Sequence, residues 1–189
     1  MIKIKHNGDA SIVVLSLFVI VLIILCAEFV IFHAVMVNRA EEIQDDVMLS
    51  NLAVYKNVDV NALSVDEKNL RISDAAAALE TFIQHLKTNM KLNDDFTTSK
   101  GSLVIGKTHI EEFTIYNVNK NHVEILSYSG NSNSFTRRDV MDKSVNPVTT
   151  SNGSIVKNTS VHVAISYNVK LLFGQTKKVT TSVDTDIVK

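Results

Sequence analysis

Apolar positions change their spacing twice along this chain. From Ile12 to Val37 they are nearly continuous, broken only by Ser16, Glu28 and His33. As a helix this stretch rises about 39 Å, enough to cross a hydrocarbon core of roughly 30 Å with some tilt. Beyond it the apolar positions thin to a stripe, Ala40, Ile43 and Val47, at three- and four-residue spacing, while charged and amide residues fill the other faces. No Gly or Pro interrupts this passage, so the pattern predicts one helix from about Ala10 into the early fifties. After residue 100 the spacing falls to two.

Between these regimes, 57–69 reads as a connection. Ser64 and Glu67 have the spacing of a capping box, which predicts a short helical turn there. A second helix follows, capped by Ser73 or Asp74, with Ala75, Ala76, Leu79, Phe82, Ile83, Leu86 and Met90 on one stripe and an end near Asn93. Val161, Val163, Ile165, Tyr167 and Val169 alternate with polar or small residues, as do Val179, Thr181, Val183, Thr185 and Ile187. The alternation predicts two half-buried strands joined around Gly174. Residues 113–118 and 123–128 predict a second hairpin across Asn119, Lys120 and Asn121, and 103–105 a short strand. Segments 129–134 and 144–160, rich in Ser, Thr, Asn and Gly and holding the sole proline, Pro147, read as loops.

Helices first and strands later imply an α+β fold: a long N-terminal helix, transmembrane in its first half, and a second helix packed on an antiparallel sheet. The expected organisation is a leader or tail over 1–11, a membrane span over 12–37 and an extracytoplasmic domain over 38–189. A cleaved signal peptide competes with the anchor, but the residues after Ala27 remain apolar and make a poor mature start. Lys3 and Lys5 precede the span, whereas Arg39 is outnumbered by Glu41, Glu42, Asp45 and Asp46 after it. Positive charge stays cytoplasmic, which favours a single-pass cell-membrane protein with its N-terminus inside. The net charge of −1 offers no basic surplus for nucleic acid. Cys26 is the only cysteine, so no disulfide can form within the chain and the domain must be held by its core.

The plan of the chain resembles the minor-pilin group of tight-adherence (Tad) pilus systems, the TadE-like proteins, in a divergent Gram-positive form. The residues that carry the likeness are the short basic leader ending in Asn7 and Gly8, the apolar helix, its exit through Ser50, Asn51, Leu52 and Ala53, and the two-strand ending over 163–189. The resemblance covers both ends well and the middle weakly. It implies a pilin-like structural component of a Tad-type assembly or secretion system, without cofactor or catalysis. It also implies trimming between Gly8 and Asp9. Such substrates usually carry Glu five residues into the mature chain, where this sequence has Val13. The alternative is an anchored extracytoplasmic binding domain unrelated to pili.

Among individual residues, Glu28 stands out. A carboxylate near the centre of a span costs on the order of 2.5–3.5 kcal/mol on insertion scales, which makes it a candidate for contact with a partner's membrane helix. The bland alternative places it at the outer interface. Ala40, Ile43 and Val47 are expected to seat the helix on the folded head. Lipid, other pilin-like subunits and further copies of the chain are the expected partners, meeting through the N-terminal helix. The six histidines show no zinc spacing, and Asp184 and Asp186 lack a calcium-loop pattern and read as a solvated strand face. No nucleophile elbow, Walker loop or dinucleotide fingerprint is present.

Overall fold

A computed structural model of the chain describes residues 7–65, 70–171 and 174–187. It comprises two compact units, Met1–Glu41 and Glu42–Lys189. Helix α1 spans Asn7–Ala53 and supplies the first unit with its described structure. The large apolar side chains from Ile12 to Ile31 are exposed around this helix, most of them by half or more. The helix is long and apolar enough to cross a membrane. Ser16, the one hydroxyl in its apolar stretch, satisfies itself by donating to the Ile12 carbonyl at 2.8 Å.

In the second unit the rest of α1 is followed by a 3-10 turn at Val54–Asn57, α2 at Val60–Val65 and α3 at Ala75–Asn89. Five strands then follow: β1 Ile105–Asn119, β2 His122–Ser129, β3 Ser134–Val140, β4 Ser160–Lys170 and β5 Thr176–Asp186. They form one antiparallel sheet in the order β3-β2-β1-β4-β5. The fold is α+β, with helical residues packed on one face of the sheet.

Local chemistry explains most boundaries. Asp74 caps α3, its Oδ1 accepting the Ala77 N–H at 2.9 Å. The α3 stripe of Ala78, Leu79, Phe82 and Leu86 is buried, and the Phe82 ring lies 5.7 Å from that of Phe113 on β1. The capping expectation at Ser64 does not hold as placed. Asp59 starts α2 instead, accepting from the N–H groups of Asn61 and Ala62 at 3.0 and 3.1 Å. Ser64 sits inside α2 and donates to the Asn61 carbonyl, while Glu67 lies outside the described residues.

One strand expectation also changes, and one strand carries no sequence signal. Ile105 opens the long β1, so 103–105 is no separate strand. Strand β3 carries no alternating apolar signal, because it is an edge strand with Arg137, Arg138 and Asp139 largely in solvent. Pairing with β2 from Ser134 to Val140, not its own composition, makes it a strand.

The helix-to-core stripe begins at Ile43. Ile43, Val47 and Val54 are buried with the central strands, whereas Ala40 is exposed and belongs to the first unit. A single methyl at Ala40 offers little area to bury. The stripe includes two polar residues at full burial, Ser50 and Asn51. Asn51 donates through Nδ2 to the Val161 carbonyl at 2.9 Å, and Ser50 accepts from Asn89 Nδ2 at 3.0 Å. These bonds fix α1 to both β4 and α3.

Candidate functional site

Alternation along β4 predicts a polar face in water, and here the structure corrects the expectation. His162 and Ser166, on the supposed solvent side, and Ser160, expected at the end of a loop, are 1%, 0% and 1% exposed. Over His162 the cover is the segment 141–159. Val148 and Val156 from it pack against Tyr116, Val123 and Ile125 on the sheet. A small turn holds the tip: Thr149 bridges Ile155, the Thr150 N–H donates to the Ser154 carbonyl at 2.9 Å, and Gly153 supplies a φ of +83°.

Under that tip lies a polar cluster centred on His162. Strand pairing sets it: His162 stands between Thr114 of β1 and Asp184 of β5. The ring Nδ1 is 2.6 Å from Asp184 Oδ1. Its Nε2 is 3.8 Å from Glu112 Oε2, beyond hydrogen-bond distance, and has no hydrogen-bond partner among the described residues. The cover reaches the same carboxylates. Thr150 Oγ1 and Asn152 Nδ2 donate to Asp184 at 2.9 and 3.3 Å, and Ser151 Oγ donates to Glu112 at 2.9 Å. Asp184 therefore does not lie on a solvated face. Burial alone would raise its carboxyl, but the hydrogen bonds from His162 and Thr150 and the charge of His162 hold it below its ordinary value.

A bulge in β1 builds the acidic side of this cluster. The register slips between Ile110 and Glu112, so Glu111 reaches Ser166 and Lys178 while Glu112 reaches Ser151 on the same side of the sheet. Gly130 of the neighbouring turn makes room, since a Cβ there would lie 1.9 Å from the Ile110 carbonyl oxygen.

Chemically, an Asp–His pair is the base half of an acyl-transfer triad, which also needs a nucleophile at Nε2 and an open cleft. Ser151 and Thr114 both direct their hydroxyls to Glu112, and the ring is 1% exposed. Among the described residues no three His, Cys, Asp or Glu converge to hold a metal. The cluster is arranged to fasten a loop.

A second polar knot stands at the far end of the helix-covered face. Glu124, with its side chain 5% exposed, accepts Arg71 in a fork at 2.8–3.1 Å and Asn117 at 3.1 Å, and forms an ion pair with Arg137 at 3.0 Å. Asn117 also pairs with the Ile72 backbone in both directions at 2.9 Å. The knot ties the connection before α3 to the sheet.

The residues singled out in the apolar stretch of α1 belong to the first unit. Glu28 and Cys26 are exposed on α1. Gly8 and Asp9 fall in the first turns of α1, and Lys3, Lys5 and His6 lie outside the described residues. Pairing of distant strands creates the His162 cluster, so only Asp and His on alternating strands near one another in number could have hinted at it. No family model, curated protein or solved structure matches the chain.

Proposed function

We propose that this protein is a single-pass, membrane-anchored structural subunit of pilin-like type, working in a Tad-type pilus assembly or secretion system. The observation that carries the reading is α1, whose apolar side chains from Ile12 to Ile31 are exposed and interrupted by one carboxylate, Glu28. Such a surface needs lipid or other apolar helices around it. Helices in lipid associate by packing and polar contacts, which gives Glu28 a place in registering subunits. The α+β order of the second unit and the resemblance of both chain ends to TadE-like proteins support the same reading. Its domain faces the extracytoplasmic side, in line with the lysines that precede the span.

The test is the mature N-terminus, read by mass spectrometry of the membrane fraction of the native host. The expected chain is membrane-bound and begins at Asp9. A chain that keeps Met1 removes prepilin-type processing, and recovery in the soluble fraction removes the anchor. In the same host, Glu28→Gln is expected to reduce co-purification of partner subunits several-fold.

A further inference from the structure

The His162 cluster can respond to protons. Asp184 is ionised near neutrality and has no proton to give, so the ring must donate from Nδ1 across the 2.6 Å contact. Nε2 is then left facing Glu112 Oε2 at 3.8 Å in a spot shielded from water. With the ring neutral, a lone pair confronts a carboxylate. With the ring protonated, a cation lies between two carboxylates, and poor solvent screening strengthens the attraction. Those two carboxylates are also the anchors of the cover, through Thr150, Ser151 and Asn152.

We propose that Asp184, His162 and Glu112 form a proton-operated clasp on the tip of the cover, residues 149–155. A proton on Nε2 closes it, and loss of that proton lets Glu112 turn to water and release Ser151. Glu112 has the freedom to do so, with its side chain 33% exposed against 18% for Asp184. Among the described residues, the charged groups set against the ring are Glu112 from β1 and Asp184 from β5; Tyr116 feels both carboxylates and, with opposite sign, Arg138 of β3. Tyr116 is pushed up to about 12 by burial and by Glu112 and Asp184, so it stays neutral near and below neutrality. The cover contributes hydroxyl and amide groups to these contacts and no charge.

The test is hydrogen–deuterium exchange on the full chain in detergent micelles, at about pH 5.5 and about pH 8.5, on either side of the ordinary imidazole range. EDTA is present, and rates are corrected for intrinsic exchange. The reporters are the amides of Thr150, Gly153 and Val156, which are bonded within the cover. Their protection is expected to fall roughly tenfold at the higher pH, while the amides of the β1–β4 ladder keep theirs. Glu112→Gln removes the opposing charge and offers an amide donor to Nε2, so its cover is expected to be equally protected at both values. Unchanged protection in the wild type, the same fall in Glu112→Gln, or an equal fall in the β1–β4 ladder would each overturn the clasp. In a parallel run without EDTA, protection that follows added Zn2+ instead of pH would assign the gap to a metal ion and overturn it as well.

Discussion

The two faces of the sheet are both covered, yet with different materials. On one face Phe113, Ile115, Val161, Val163 and Ile165 meet Phe82 and Leu86 of α3 and Ile43 and Val47 of α1 in one large apolar cluster. On the other, Val148 and Val156 from an irregular segment form a smaller cluster with Tyr116, Val123 and Ile125, flanked by Val118 and Val140, and hydrogen bonds around His162 add further contacts. An apolar interface is non-directional and scales with area, so it sets how stable the unit is. A polar interface depends on each partner and on its charge state, which makes it the face that can open while the fold persists.

The largest test of this contrast is Phe82→Ala. Removing a fully buried ring from the helix-covered face is expected to cost about 3–5 kcal/mol. Urea unfolding of the full chain in micelles, followed by far-ultraviolet circular dichroism, would measure it. A loss comparable to that of a change on the other face would erase the distinction.

His162→Leu is the matching change under the cover. It keeps much of the volume but strips Asp184 of its ring donor, for an expected loss of about 1–3 kcal/mol. The same unfolding experiment reads it, and the cover amides should lose protection at both pH values. A variant as stable as the wild type would mean that the polar contacts contribute nothing net.

The smallest effects lie in acid, where the two faces should differ in sign. Asp184 is held below its ordinary value in the folded chain, so the unfolded chain binds its proton first. Its contribution is present above the unfolded value and is lost as pH falls through the folded one. Asp46, on α1, is raised by burial and by Glu42 and Asp45 against the opposing pull of Lys91. Its ionised form therefore costs stability near neutrality, and that cost disappears in acid. Asp184→Asn should flatten the acid limb of a stability–pH curve, whereas Asp46→Asn should raise its neutral end. Identical curves for both variants would show that neither environment perturbs its carboxyl as described.

Much of this architecture is written in local pattern. The continuous apolar run from Ile12 makes a long helix, since a stretch of that length can satisfy its backbone internally and has no polar face to bury. The stripe that includes Phe82 and the alternation through Val163 and Val183 identify α3, β4 and β5, because each period matches the geometry of its element. Asp74 before Ala75 marks a helix start by the same logic. The α2 cap fell to Asp59 because it and Ser64 can both cap a helix and only the fold chooses between them.

Residues on the second face behave otherwise. His162 and Ser166 look like part of a solvent-facing row, and Arg137 and Arg138 look like an ordinary basic pair. Burial of His162 involves a cover some ten residues upstream, Ser166 is paired with Glu111 of the β1 bulge, and the strand character of the arginines rests on pairing with β2. Asn51, Asn117 and Glu124 are likewise polar residues whose burial follows from partners far away in number. Sequence by itself determined the apolar helix, α3, β4 and β5, since periodicity is a property of neighbours along the chain. Only tertiary structure decided which polar residues are buried and paired, since a hydrogen-bond partner is a neighbour in space.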